Sequence, residues 1–304
     1  MKIVIRADGG ADVGWGHLGR CAALAEVLIE AGAEVAWACR RSNAVNALIG
    51  KEADCVLTGE PSLGVLEEDE ARALADFALE ADWLIIDHYG ANEAYLSVLK
   101  ERFQGRVMIL DDHQTRREVD LRLAPMQSAA PKTLSGASYQ PVRPCFSRAT
   151  PAAHREGWLI ALGGADPNDD MRRVLRHLSE SGEKLTLLAS NQIAERQGLD
   201  AIIAQTPEHV ERIPWLSPEE LAASFSRHTA ALVSSSTLSW EALATKTPIV
   251  ALRTAENQRG VAATLQGARI PTFDCASDAA QALRQGRAAL PCPSVQLDGL
   301  GAWR

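Results

Sequence analysis

A histidine at the foot of a glycine-rich loop is the first residue in this chain with evident chemistry. The stretch Ile5-Arg6-Ala7-Asp8-Gly9-Gly10-Ala11-Asp12-Val13-Gly14-Trp15-Gly16-His17-Leu18-Gly19-Arg20 opens with β-forming residues and breaks into a loop. It resumes as a helix with apolar positions at Leu18, Ala22, Ala25 and Ile29. A helix start offers unpaired backbone N–H groups and a partial positive charge, which suit a phosphate. Gly14 and Gly16 lack a Cβ and let an anion approach the backbone. At that position the positive helix end favours a neutral imidazole on His17, the form a general base requires. A structural histidine is the competing reading. Gly14-x-Gly16-x-x-Gly19 also matches the dinucleotide fingerprint in its letters. About six loop residues follow Ala7 before it begins, whereas that fingerprint starts at the strand end, so nicotinamide binding is disfavoured.

Further polar residues cluster where apolar runs end. Asp8, Asp87-His88-Tyr89 and Asp111-Asp112-His113 each follow a strand-like segment. In the second half, Leu162-Gly163-Gly164-Ala165-Asp166-Pro167-Asn168 pairs two glycines with a helix-start signal that also reads as an ordinary cap. Val233-Ser234-Ser235-Ser236-Thr237 leads into a helix carrying Glu241. Hydroxyls and N–H groups there can receive a diphosphate, and a carboxylate one turn on can accept both hydroxyls of a ribose. By itself, Glu241 reads more readily as a surface glutamate on an exposed helix face. Glu256-Asn257-Gln258 places amides, which both donate and accept, at another loop-to-helix junction.

The elements that must carry these residues alternate. Strands are expected at Glu34 to Cys39, Cys55 to Leu57, Trp83 to Ile86 and Val107 to Leu110, with helices at Leu66 to Leu79 and Ala91 to Arg102. From Pro125 to Thr150 periodicity gives way to Pro, Ser and Ala, which reads as a crossing segment. Strands then follow at Trp158 to Leu162, Leu185 to Ala189, Val210 to Ile213, Ala230 to Val233 and Pro248 to Ala251. Helices lie at Met171 to Leu178, Pro218 to Phe225, Leu238 to Ala244 and Gln258 to Leu265. Such βα alternation means parallel, doubly wound sheets with ligands at the carboxyl ends of strands. The expectation is an α/β chain of GT-B fold: two Rossmann-like domains, 1–148 with the glycine-rich loop and 149–304 with a nucleotide site, and a cleft between them.

Composition narrows the function classes. At 304 residues, 46% apolar and 23% charged, the chain has material for two cores. A formal charge of −8 argues against broad nucleic-acid binding. No apolar run reaches membrane-span length, and Met1-Lys2-Ile3 enters a strand without a signal-peptide pattern, so a cytoplasmic protein with no membrane partner is expected. Six cysteines include no CxxC pair and read mostly as small buried hydrophobes. The histidines show no metal-ligand spacing, so neither a metal nor a cofactor is expected. A monomer or weak homo-oligomer is the expected state.

The motifs together resemble a known family. Arg6-Ala7-Asp8 with Gly14-x-Gly16-His17-x-x-Arg20-Cys21 is similar to the N-terminal signature of the UDP-sugar hydrolases of the pseudaminic acid pathway and their spore-coat-polysaccharide relatives. Ile86-Asp87-His88-Tyr89, Leu110-Asp111-Asp112 and Gly136-x-x-Tyr139-x-x-x-Arg143-Pro144-x-Phe146 continue the match in order. Gly163-Gly164-x-Asp166-Pro167, Ser236-Thr237 with Glu241-Ala242-Leu243, Glu256-Asn257-Gln258 and Asp298-Gly299-x-Gly301 complete it. The resemblance implies a GT-B fold and metal-independent, inverting hydrolysis of UDP-2,4-diacetamido-2,4,6-trideoxy-β-L-altropyranose at C1, releasing UDP and the sugar for nonulosonic acid synthesis. It implies His17 as the base that activates water. Asp8, Gly14, Gly16, Tyr89, Asn257 and Gln258 would surround the rest of the substrate, and Gly163, Gly164, Ser235, Ser236, Thr237 and Glu241 would hold UDP. The chain departs from relatives at Ser234-Ser235, commonly glycine, and at Ala124-Pro125-Met126, where an asparagine is common. A close variant of the sugar therefore stays open. The rival functions are a GT-B glycosyltransferase and a nucleotide-sugar-binding protein without turnover.

Overall fold

In the computed structural model, residues 1–10, 13, 16–111, 118–126, 130–164, 166–205 and 209–291 are described. They divide into two compact units, Met1–Arg143 and a second beginning at Pro144.

The first unit is built on seven parallel strands. These are β1 (Lys2–Ala7), β2 (Glu34–Arg40), β3 (Cys55–Leu57), β4 (Trp83–Asp87), β5 (Arg106–Leu110), β6 (Leu121–Ala124) and β7 (Thr133–Ser135), in the order β3-β2-β1-β4-β5-β6-β7. β1 is buried on both faces, which is why it reads as a continuous apolar run rather than an alternating one. In register, Ile5 lies between Trp37 and Ile85, and Ala7 beside Asp87. Odd-numbered Ile3, Ile5, Ala7 and Ile85 pack with Leu18, Cys21, Ala22 and Ala25 of the helix Gly16–Glu30. Even-numbered Val4, Leu84 and Ile86 pack on the other face with Leu74, Leu96 and Leu99, from helices Glu68–Phe77 and Glu93–Arg102. Ile29, expected on the buried stripe of Gly16–Glu30, is instead 54% exposed, because the stripe turns through Leu28.

The second unit repeats the plan with six parallel strands. They are β8 (Trp158–Ala161), β9 (Leu185–Leu188), β10 (Val210–Ile213), β11 (Ala230–Ser234), β12 (Ile249–Leu252) and β13 (Thr272–Phe273), ordered β10-β9-β8-β11-β12-β13. Counted from its own first strand this is 3-2-1-4-5-6, the order of the first six strands of the first unit and of doubly wound nucleotide-binding sheets. Its first face packs Ile160, Leu187, Leu232 and Val250 against Met171, Val174 and Leu283. Local chemistry sets the helix ends: Ser217 and Glu220 form a reciprocal capping box ahead of Pro218–Arg227.

The segment read as an aperiodic crossing is partly ordered. It holds β7, three residues at the sheet edge, and the five-residue helix Pro144–Arg148, whose Phe146 lies 6.4 Å from the Phe225 ring. Elements this short complete no hydrophobic period. Of the described cysteines, only Cys21 and Cys39 are buried, Cys55 and Cys145 are partly exposed and Cys275 is exposed. Among the described residues no helix is long and apolar enough to cross a membrane.

Candidate functional site

In each sheet the strand order reverses direction once, between β1 and β4 in the first unit and between β8 and β11 in the second. Ligands of doubly wound sheets bind outside the carboxyl ends of such strand pairs. Both carboxyl ends carry residues singled out by the sequence.

In the first unit, β1 ends at Ala7 and β4 at Asp87, opposite each other in register. Strand alternation turns Asp87 toward the helix Gly16–Glu30, as it does Ile85. His17 stands in the first turn of that helix, and its Nδ1 lies 2.6 Å from Asp87 Oδ1. Arg20, one turn on, donates through Nε to Oδ2 at 2.5 Å and through Nη2 to Oδ1 at 2.6 Å. The Cys21 thiol adds a longer contact of 3.6 Å to Oδ2. Burial alone would raise the Asp87 carboxyl, but Arg20 and then His17 outweigh it and hold the group well below the usual carboxylate range. An ionised carboxylate only accepts, so the His17 Nδ1 carries a proton, and in the neutral ring the lone pair is then on Nε2. The Tyr89 ring meets the imidazole edge-on, with centroids 4.5 Å apart at 77°. The result is an oriented His–Asp dyad with a guanidinium behind it.

The opposite face of the same strands holds a second ionic group. Arg6 donates to Asp8 Oδ2 and Glu70 Oε1, both at 2.8 Å. Arg40 donates to Glu70 Oε2 at 2.6 Å, and its backbone N–H reaches Asp8 Oδ1 at 2.9 Å. The Tyr95 hydroxyl donates to Glu70 Oε1 at 3.3 Å. Burial lowers the Arg6 pKa, but Asp8 and Glu70 outweigh it and keep the guanidinium charged. Burial raises Asp8, and Arg6 reverses the sign, leaving it below its ordinary value. Asp8, expected against substrate, is thus 1% exposed with both oxygens engaged by Arg6 and Arg40. It ties the ends of β1 and β2 together. Gly16 opens the His17 helix and is exposed, and a Cβ there would meet nothing within 4 Å. Gly14 lies outside the described residues.

In the second unit, β8 runs into Gly163, whose φ of +91° demands glycine. A Cβ on Gly163 would sit 3.9 Å from Ser234 Oγ, so the β8 and β11 ends are neighbours here too. Gly164 is exposed with open space around it. Ser236 caps the helix Thr237–Ala244, accepting from the Leu238 N–H at 3.3 Å and pairing with Ser234 Oγ at 2.8 Å. Ser236, Thr237 and Glu241 are partly exposed along this helix start. Ser235 is fully buried, and its N–H is bound to the Leu252 carbonyl. Asp166 caps the helix Asp170–Leu178 through the N–H groups of Asp170 and Met171, the ordinary-cap role weighed for it. Asn257 and Gln258 lie in the turn after β12; Asn257 is exposed, whereas Gln258 folds back on Thr254 through its Oε1 at 2.9 Å.

Sequence reasoning named Asp87 and Arg20 without giving either a role. Arg20 three residues after His17 was the available signal, since that spacing shares a helix face. Arg40 and Glu70 carried no signal, standing 30 residues apart and joined only by the fold. Among the described residues no group of three or more His, Cys, Asp or Glu is placed to hold a metal ion.

No family model and no curated protein sequence matches this chain. Solved structures do, over its whole length. MurG of Acinetobacter baumannii superposes with a TM-score of 0.63 at 14% identity, covering 100% of this chain and 95% of that one. The calicheamicin glycosyltransferase CalG4 gives 0.65 at 12% identity, covering 99% and 92%. A UDP-GlcNAc 2-epimerase of Methanocaldococcus jannaschii, in complex with UDP-GlcNAc and UDP, gives 0.59 at 8% identity, covering 99% and 98%. With two parallel doubly wound sheets on the same plan, the fold is GT-B.

Proposed function

We propose that this GT-B chain is a nucleotide-sugar hydrolase that cleaves a UDP-sugar at C1 with inversion. The substrate is UDP-2,4-diacetamido-2,4,6-trideoxy-β-L-altropyranose or a close variant, and the product feeds nonulosonic acid synthesis. The observation that carries the reading is the His17–Asp87 pair at 2.6 Å. In this reading His17 Nε2 takes a proton from water as the water oxygen bonds to C1 and the bond from C1 to the diphosphate oxygen breaks. Asp87 holds the tautomer and stabilises the imidazolium that forms, as the carboxylate of a catalytic triad does. The first unit, 1–143, supplies the base. The second supplies the nucleotide cradle, where Gly163, Gly164, Ser236 and the start of Thr237–Ala244 receive the diphosphate and Glu241 the ribose. The helix start stabilises the charge on departing UDP, a good leaving group that needs no dedicated acid. Structural neighbours bound to UDP and UDP-GlcNAc support the nucleotide part.

A glycosyltransferase is the second reading, favoured by the likeness to CalG4; the same base would then deprotonate an acceptor hydroxyl. NMR of the C1 anomer with a panel of UDP-sugars, without acceptor, separates the two. Rapid inverting UDP release from the diacetamido altrose donor, lost in His17→Asn, is the expected result. UDP binding without release from any donor would instead favour transfer or silent binding.

A further inference from the structure

His88 follows Asp87 in sequence but projects from the opposite face of the strand end, and the chemistry above does not use it. Its Nδ1 accepts from the Gly90 N–H at 3.0 Å, so the ring proton sits on Nε2, which donates to the Ser62 carbonyl at 2.7 Å. Leu66 N–H donates to the Gly90 carbonyl at 3.1 Å. Gly90 packs so closely on this loop that a Cβ there would run into the Gly64 carbonyl. On its other side the loop borders the glycine-rich stretch, since a Cβ on Gly10 would come within 3.8 Å of the Pro61 ring. The loop therefore touches the turn after Tyr89 at Gly90 and the start of the glycine-rich stretch at Gly10. It exposes two aliphatic side chains, Leu63 at 41% and Val65 at 67%.

We propose that His88 is a positioning residue, and that the Pro61–Val65 loop it fastens is the apolar side of the glycosyl pocket. Leu63 and Val65 meet the methyl and acetamido groups of the sugar, and His88 keeps them in place relative to Tyr89. This rests on the nucleotide-sugar reading above. It makes the loop a determinant of which sugar is accepted, while leaving the base and the nucleotide site untouched.

Two substitutions divide the latch. His88→Asn keeps an acceptor near Nδ1 for Gly90 but falls short of Ser62, whereas His88→Gln reaches Ser62 and gives up Gly90. Both are compared with Leu63→Ser/Val65→Ser in the full chain. Hydrogen exchange over residues 58–66 is expected to rise about 10-fold in His88→Asn and to stay unchanged in the loop double variant. In both, KM for the diacetamido altrose donor rises about 5–20-fold with kcat within about 3-fold, and the preference over UDP-N-acetylglucosamine narrows. UDP affinity is unchanged. Faster exchange with KM and donor preference unmoved would make His88 merely structural and overturn the proposal, as would a fall in kcat at constant KM. If the wild-type chain turns over no donor, the hydrolase reading fails while this inference is still read by calorimetry. The excess affinity of intact donor over UDP should then shrink in both variants, and its persistence would overturn the inference.

Discussion

In the proposed chemistry the His17–Asp87 pair serves as a base only while Asp87 is ionised, and two neighbours, Arg20 first and His17 second, secure that state. Asp87→Asn keeps the shape but lets the imidazole take either tautomer. A loss of kcat of about 10²–10⁴ is expected, with UDP affinity within about twofold. The same change removes the carboxylate charge that the half-buried Arg20 contacts, and a stability loss of about 3 kcal/mol should appear in urea melts. The depressed carboxyl has a second consequence. Its stabilisation is present above the ordinary aspartate range and is lost as pH falls below about 4 toward the folded value. His88 acts in a higher window. Burial first, and Arg6 second, push its pKa down to about 4. Between the ordinary value of about 6.5 and about 4, the unfolded chain binds a proton that the folded chain refuses, so stability declines as pH falls. Unfolding free energies from urea melts at pH 7 and 4.5 should differ by about 2–3 kcal/mol from this group, and that part of the slope should vanish in His88→Gln. The slope that remains belongs to other groups, among them His228, whose ring burial also pushes down.

At the scale of elements, the start of Thr237–Ala244 and the end of β8 form the proposed nucleotide cradle, and the glycines after β8 give contrasting tests. Gly163→Ala forces a Cβ onto a φ of +91° and is expected to cost about 1–3 kcal/mol before any ligand is added. Gly164→Ala meets open space, so thermal stability should hold within about 0.5 kcal/mol. Any loss of UDP affinity in calorimetry would then report the ligand itself filling that space. Ser236→Ala removes a helix cap at about 1 kcal/mol and should weaken UDP as well. The elements were largely legible beforehand: Cys55–Leu57 and Val210–Ile213 match their expected bounds, and most other expected strands differ by a residue at one or both ends. Buried parallel strands announce themselves as apolar runs closed by polar residues. The partners of those polar residues did not show. Asp87 meets His17 across 70 positions of sequence, a contact created by strand order, and periodicity carries no information about strand order.

At the scale of the molecule, one strand order serves two sheets and gives each a switch point, the first furnished with a dyad and the second with hydroxyls and glycines. Hydrogen exchange with saturating UDP should therefore protect residues 158–164 and 230–241 and leave the core of the first unit, residues 83–87, unchanged. Equal protection of both would contradict the assignment of the nucleotide to the second unit. The alternation of β4 also bears on how this chain can change. Asp87 and His88 are consecutive, and the pleat sends them to opposite faces, one to the dyad and one to the Ser62 latch. Inserting one residue within Trp83–Asp87 would carry the Asp87 carboxylate to the Ser62 side and leave Ile86 facing Arg20, and deleting one would bring the His88 imidazole against Arg20 instead of the carboxylate. A length change that spares the dyad must therefore fall in the loops around this strand, and transplanting the site into another sheet means moving β1 and β4 together with their pairing intact.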